Sequence, residues 1–225
     1  MEAYSGIVSD SSGLPSDVRK PASYYEQGRP ELVALLPERL GRVLDVGCGA
    51  GAVGRAIRAR SSELVGIELD PEAAARARDA YDRVLVGSAE SHVAEAGGPF
   101  DAILLYDLIE HLAAPEALLV TLRSVAAPNA LLHVSVPNAR HFSLVRDLLL
   151  RGTFGYTEWG HRDNTHLRWF TRRDLVALLD STGWHVERTA HAPLSAAGRF
   201  AERVTRGLSA EFFVHQWSAL ARGPG

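Results

Sequence analysis

Between Val43 and Gly54 the chain reads Val-Leu-Asp-Val-Gly-Cys-Gly-Ala-Gly-Ala-Val-Gly. A short apolar run breaks into glycines, and a helix-compatible stretch follows. Glycines at such a junction let the backbone turn tightly and approach a ligand closely. The helix start offers free N–H groups to a polar ligand. About twenty residues after Gly47 the next apolar run ends in Gly66-Ile-Glu-Leu-Asp70. An acidic group at that distance is placed to hydrogen-bond ribose hydroxyls. Glu68 takes that role, because Asp70 stands directly before Pro71 and reads as a helix cap.

Two ligand classes share this layout. Gly49-x-Gly51-x-x-Gly54 satisfies the dinucleotide pattern, which points to NAD. Asp45, however, precedes Gly47 by two positions. An anion there repels a pyrophosphate and suits a cation, such as the ammonium and sulfonium groups of S-adenosylmethionine (SAM). The charge sign favours SAM.

A second group of residues offers acid–base chemistry. His is the commonest general base, and His111 and His166 are the candidates. Asp107, Glu110, Asn138 and His141 fall at the ends of apolar runs, where ligands collect in parallel sheets. His161, Asp163 and His166 lie close together, but their spacing matches no standard ligand motif, so no metal is expected. His133 alternates with apolar residues and reads as structural. Arg162, Arg168, Arg172 and Arg173 form a local basic patch, read as a solvated helix start or a site for a phosphorylated acceptor.

The positioning elements follow from periodicity. Apolar runs at Val43–Val46, Leu64–Ile67, Arg83–Val86, Ala102–Leu105 and Leu131–Val136 read as strands buried on both faces. Helical stretches at Ala52–Ala59, Pro71–Ala80, Ser91–Ala96 and Pro115–Val125 separate them. That alternation predicts an α/β fold with a doubly wound parallel sheet. Thr171 and Asp174 form a weak relative of a capping box opening a helix over Arg172–Asp180, and Gly183 ends it. Trp184–Thr189 and Glu211–Leu220 read as further strands, with a helical stretch over Ser195–Gly207 between them. Ser23–Leu40 reads as two helical pieces split near Gly28 and Pro30. Residues 1–20 read as a flexible arm, and 138–170 as a lid insertion too long for an ordinary connection.

Composition excludes several classes. With 46% hydrophobic and 23% charged residues over 225 positions, the chain suits one globular domain. Cys48 is the only cysteine, so neither a disulfide framework nor a cysteine-rich zinc module forms. A net charge of −3 argues against a nucleic-acid partner. The start has no secretory signal and no stretch is long enough to span a membrane. A cytoplasmic protein is the expectation.

From Arg42 to Val186 the sequence resembles a class I SAM-dependent methyltransferase. Val43-Leu-Asp-Val-Gly-Cys-Gly49 resembles the family's first motif, and Val65-Gly-Ile-Glu-Leu-Asp70 its second-strand acidic motif. The run from Phe100 to Leu112, with Tyr106-Asp-Leu-Ile-Glu-His111, is similar to ubiquinone-biosynthesis O-methyltransferases and their relatives. Val134-Ser-Val-Pro-Asn138 resembles the end of the fifth strand. Tyr24-Tyr25, Arg29-Pro-Glu31, Gly152-Thr-Phe-Gly-Tyr156 and Asn164-Thr-His-Leu-Arg-Trp-Phe-Thr171 resemble bacterial methyltransferases found among glycosyltransferase and natural-product genes.

The resemblance implies a Rossmann-like, seven-stranded sheet, mostly parallel with an antiparallel last strand, and a small helical lid. The domain spans 21–225, with an N-terminal helical cap over 21–40. The resemblance also implies Asp45, Gly47, Cys48 and Gly49 around the methionine part of SAM, Glu68 on the ribose and Leu69 on the adenine. Tyr106 approaches the amino group through its carbonyl, while Tyr24, Tyr25 and Arg29 close over the cofactor. Where the family often has an acidic residue for the adenine, this chain has Gly87-Ser-Ala-Glu90, so Ser88 and the Ala89 N–H take that place. Asp107, Asn138, His141 and His161 are expected at the acceptor. The implied function is O-methylation of a small molecule, a sugar or natural-product scaffold, yielding S-adenosylhomocysteine. Transfer to nitrogen or carbon, or a SAM-binding partner without catalysis, are the alternatives. A small-molecule acceptor is the expected partner, with a homodimer left open.

Overall fold

The computed structural model describes residues 20–158, 160–192, 194, 196–205 and 210–225. The expected arm falls outside them except for Lys20. Strands β1 (Gly41–Val46), β2 (Ser61–Glu68), β3 (Arg83–Val86), β4 (Phe100–Tyr106), β5 (Ala126–Pro137), β6 (His185–His191) and β7 (Gln216–Arg222) form one sheet. Its order is β3-β2-β1-β4-β5-β7-β6. Pairing is parallel from β3 to β5, and β7 runs antiparallel to both β5 and β6. The Rossmann-like sheet with an antiparallel last strand is therefore the fold.

Helices α1 (Pro30–Val33), α2 (Ala52–Ile57), α3 (Pro71–Ala77), α4 (Ala89–His92), α5 (Pro115–Arg123), α6 (Phe142–Arg151), α7 (Arg172–Ser181), α8 (Ala196–Thr205) and α9 (Ala210–Phe213) complete the chain. Successive strand residues point to opposite faces, so the central strands feed two apolar layers. Val43 and Leu104 pack with Leu32, Val53 and Ala77 on one face. Leu44, Val46 and Ile103 pack with Leu118 and Leu175 on the other. Trp184 is fully buried, and its indole N–H donates to the Leu119 carbonyl at 2.9 Å, which fixes α7 and β6 against α5.

Local signals set several boundaries. Asp70 caps α3 by accepting from the Ala73 N–H at 2.8 Å, with Pro71 at the first helical position. Thr171 and Asp174 form a full capping box on α7, stronger than the sequence suggested. The N-terminal cap is less helical than expected: a 3-10 turn over Ala22–Glu26, then α1, with Arg29 between them at φ 45°.

The largest departure is at the C-terminus. Glu211–Leu220 is not one strand, because Ala210–Phe213 is a helical turn and β7 begins at Gln216. The Asn138 side-chain amide donates to the Glu211 and Val214 carbonyls at 2.7 and 2.8 Å. Arg140 and Arg172 hold the Glu211 carboxylate at 2.5 and 2.9 Å. These bonds require the chain to curl there. The insertion over 138–170 contains α6 and closes on itself through a bridge between Asn138 and Phe170. No helix among the described residues is long and apolar enough to cross a membrane.

Candidate active site

Chain order reverses between β1 and β4, and the carboxyl ends of those strands frame a cavity of about 570 Å³. This is the ordinary ligand position in an open α/β sheet. The glycine loop forms one end. Gly47, Gly49 and Gly51 have φ of 79°, 55° and 85°, a region that a Cβ disfavours. At Gly49 a Cβ would also lie 2.7 Å from the Tyr25 carbonyl oxygen. That carbonyl accepts from the Ala50 N–H at 2.9 Å, so the N-terminal cap is sewn onto the loop. The loop is fixed to β2 as well, since the Gly47 and Cys48 N–H groups both donate to the Ile67 carbonyl.

Glu68 braces the same loop. Its carboxylate accepts from the Gly49 N–H at 2.8 Å and the Asp70 N–H at 2.9 Å. Burial raises its pKa, and the backbone donors pull it back. Asp45 is 2% exposed and accepts from the Tyr81 hydroxyl at 2.5 Å. Burial lifts its pKa to about 7, against the pull of Tyr81, and the nearby Glu68 adds to the rise. Burial also pushes the Cys48 thiol up, away from thiolate chemistry. Leu69, Ser88 and Ala89 line the cavity, with Leu69 presenting an apolar side chain that is 43% exposed. The Ser88 hydroxyl caps α4 through the Ser91 N–H at 3.3 Å and retains an unused acceptor position. Tyr24, Tyr25 and Arg29 form the cap side of the wall.

The carboxyl end of β4 adds Tyr106, Asp107 and His111 to the lining. The Tyr106 hydroxyl points away, to buried His133 Nδ1 at 2.8 Å, so its backbone faces the site while its ring belongs to the core. His133 is structural, as expected. Asp107 has φ of 49° and is held by Arg29, Ser135 and Gln216. His111 ends a 3-10 turn over Ile109–His111, and its Nδ1 lies 3.0 Å from Thr165 Oγ1. Burial lowers its pKa, which leaves a neutral imidazole near pH 7. His166 packs edge-on against His111 with ring centres 4.7 Å apart, and burial lowers its pKa to about 4.

Other expected residues lie elsewhere. Asn138, His141, His161 and His166 are absent from the cavity lining. Asn138 is fully buried and spends its amide on the α9 turn and its oxygen on the Arg140 N–H at 3.0 Å. His141 caps α6, stacks on His215 at 3.9 Å and neighbours His161 at 5.3 Å. Burial and mutual repulsion lower His141 and His161 to about 4.

One grouping was not read from the sequence. Glu110, His111 and His166 each offer a ligand atom within 4.8 Å of the others. Both Glu110 carboxylate oxygens and His166 Nδ1 are buried without a hydrogen-bond partner. Burial, the main cause, and the nearby Asp107 raise the Glu110 pKa well above the usual range. Such a trio can hold a divalent cation once Glu110 gives up its proton. Glu110 and His111 are adjacent in sequence, but His166 joins them only through the fold. Tyr81, Thr165, Lys20 and Gln216 are further partners of site residues that no motif flagged.

The cavity fits SAM on its own chemistry. Asp45 and Glu68 have no ion-pair partner among the described residues, so the donor set invites a cation. An exposed apolar Leu69 stands where a flat ring would pack.

Comparison with known proteins agrees. Residues 19–189 match the methyltransferase-domain family. A ubiquinone biosynthesis O-methyltransferase from Azoarcus sp. (strain BH72) is 32% identical over 133 residues, covering 52% of this chain and 57% of the relative. One from Xylella fastidiosa (strain 9a5c) is 33% identical over 189 residues, covering 77% and 73%. The chain spans about half the length of the first of these relatives. Among solved structures, a SAM-dependent methyltransferase from Archaeoglobus fulgidus superposes with a TM-score of 0.61 at 17% identity, covering 82% of this chain and 87% of that one. The glycine loop, the sheet order and these matches converge: the chain belongs to the class I SAM-dependent methyltransferases.

Proposed function

We propose that the chain transfers the methyl group of SAM to an oxygen of a small molecule, on a sugar or natural-product scaffold, with His111 as general base. The observation that carries this reading is a neutral His111 on the wall of the same cavity that the glycine loop and Glu68 line. The names of the ubiquinone relatives support oxygen as the acceptor atom. In this reading the domain works as one unit, with 21–40 as a cap and 138–170 as a lid.

SAM supplies a methyl group already activated by its sulfonium. The chain's own work is positioning, water exclusion and proton removal. Asp45, Gly47, Cys48, Gly49 and Tyr106 surround the methionine end, Glu68 the ribose, and Leu69, Ser88 and Ala89 the adenine. Tyr25 and Arg29 cover the cofactor, and Asp107 borders the acceptor. His111 would take the acceptor's hydroxyl proton as the methyl group passes from the sulfur of SAM to the acceptor oxygen, with S-adenosylhomocysteine as the leaving group.

The test is a screen of hydroxylated acceptors with methyl-deuterated SAM, read by mass spectrometry, for wild type and His111→Ala. The expected result is label on an acceptor oxygen. The His111→Ala variant should lose turnover about 10²–10⁴-fold while its affinity for SAM stays unchanged. Label on nitrogen or carbon, or binding of SAM without transfer to any acceptor, would overturn the proposal.

A second reading rests on Glu110, His111 and His166. There the trio binds a divalent cation that orients the acceptor, and His111 is a ligand. Activity abolished by a chelator and restored by magnesium or manganese supports it. Activity indifferent to chelation leaves His111 as the base.

A further inference from the structure

The hydrogen bonds behind His111 determine where its proton sits. Thr165 is buried, and its hydroxyl has one hydrogen to give. Two groups compete for it. Asp163 Oδ1 lies 2.7 Å from Thr165 Oγ1 and also accepts from the Thr165 N–H at 2.9 Å. His111 Nδ1 lies 3.0 Å from the same hydroxyl and 3.3 Å from the Thr165 carbonyl oxygen.

Asp163 is only 1% exposed, and the Lys20 ammonium sits on both its oxygens at 2.6 and 2.7 Å. A carboxylate so paired is ionised and can only accept. The Thr165 hydrogen therefore goes to Asp163. Both atoms that face His111 Nδ1 are then acceptors, the hydroxyl lone pair and the carbonyl. The hydrogen between them must be carried by Nδ1. No hydrogen bond among the described residues engages His111 Nε2.

We propose that Thr165 and Asp163 are positioning residues that hold His111 as its Nδ1–H tautomer, leaving the Nε2 lone pair to the cavity, with Lys20 as the counterion that keeps Asp163 an acceptor. The catalytic use of that lone pair rests on the function proposed above. The tautomer itself does not, and it serves a base and a metal ligand equally. When the acceptor's hydroxyl proton moves to Nε2, the ring becomes an imidazolium. Its Nδ1–H then donates more strongly to Thr165, whose own hydroxyl already points at the Asp163 charge. The cap enters this arrangement directly. Lys20 lines the cavity together with Tyr24 and Tyr25, so the segment that covers the cofactor also completes the support of His111.

The test reads the tautomer by ¹⁵N NMR of the full chain labelled at histidine, with His111 assigned by comparison with His111→Gln. The expected spectrum has a protonated-type nitrogen at Nδ1 and a bare-type nitrogen at Nε2. Thr165→Val keeps the backbone N–H bond to Asp163 and removes only the hydroxyl. It should mix or reverse the tautomer and lower kcat about 10–100-fold, the usual effect of losing such a support, with KM for SAM within about twofold. Thr165→Ser should restore both the spectrum and most of kcat.

Wild-type protein with the proton on Nε2 would overturn the proposal. So would a Thr165→Val variant with an unaltered spectrum and kcat, or a Thr165→Ser variant as impaired as Thr165→Val. The spectrum needs no acceptor. A correct tautomer with turnover indifferent to His111→Ala would overturn the base assignment and leave the tautomer standing.

Discussion

Asp45→Asn should stabilise the cofactor-free protein and weaken its hold on SAM. Asp45 is buried, and the Tyr81 hydroxyl is its one side-chain donor among the described residues. Its rise from the ordinary 3.8 to about 7 corresponds to about 4 kcal/mol against the ionised form. The sign follows from proton counting. The unfolded residue ionises near pH 4, whereas the folded one keeps its proton to about pH 7. Between those values the folded state binds more protons, so stability falls as pH rises from about 4 to about 7 and is level above. Asparagine removes that loss while still accepting from Tyr81, and about 4 kcal/mol at pH 8 is its upper bound.

SAM reverses the balance, because its cationic groups need the ionised carboxylate. Below pH 7 wild-type binding must therefore release a proton, and Kd should rise about tenfold per pH unit. Calorimetry at pH 6, 6.5 and 7.5, in two buffers of different ionisation enthalpy, measures both Kd and the proton released. Thermal unfolding at pH 5 and pH 8 measures the stability change. A slope that survives in Asp45→Asn belongs to Glu68, whose pKa burial also raises. Wild-type affinity that is flat with pH, or an Asp45→Asn variant that binds SAM normally, would refute the charge argument. A variant less stable at pH 8 would refute the burial argument.

Two other perturbations probe the same end of the cavity. Gly49→Ala places a side chain at φ 55° and 2.7 Å from the Tyr25 carbonyl oxygen. The left-handed conformation alone costs about 1–2 kcal/mol. Scanning fluorimetry should therefore find Tm lowered by about 2–8 °C, together with weaker SAM binding, and an unchanged Tm and Kd would contradict the close approach. Glu68→Ala removes the acceptor of the Gly49 and Asp70 N–H groups. It should weaken SAM binding about tenfold or more in calorimetry while circular dichroism stays native, and normal affinity would mean the carboxylate only braces the loop.

The grouping of the glycine loop with Glu68 was legible because it is local. Asp45, Gly47 and Gly49 sit in one strand–turn–helix unit, and Glu68 ends the neighbouring strand with its side chain on the same loop. A short apolar run followed by glycines leaves few alternatives. The acceptor half is non-local and was read less well. His111 was singled out, but its supports come from Thr165, Asp163 and Lys20, which no spacing connects. Asn138 and His141 were placed at the acceptor because they follow β5. The Asn138 side chain instead holds the α9 turn, which depends on Val214 being nearby in space, and His141 caps α6. The strand over Glu211–Leu220 failed for a related reason. Side-chain hydrogen bonds from Asn138 and two arginines outweigh the β propensity of Phe212, Phe213 and Val214.

On the proposed function, charge placement suits one cavity to both a cationic donor and a neutral acceptor. The carboxylates Asp45, Glu68, Asp107 and Glu110 near the carboxyl ends of β1, β2 and β4 are treated differently. Asp107 is neutralised by Arg29, and both residues adopt positive φ to meet, 45° for Arg29 and 49° for Asp107. Such backbones persist only when their surroundings over-determine them, and here Ser135 and Gln216 add two more donors to Asp107. Burial raises the Glu110 pKa well above the usual carboxylate range. Asp45 and Glu68 have no ion-pair partner among the described residues, and both stand at the glycine loop. Negative charge is thus concentrated at the glycine loop, where the proposed function puts the positive charge of SAM. Replacing the Arg29–Asp107 pair with neutral residues would not change that polarity, whereas neutralising Asp45 would.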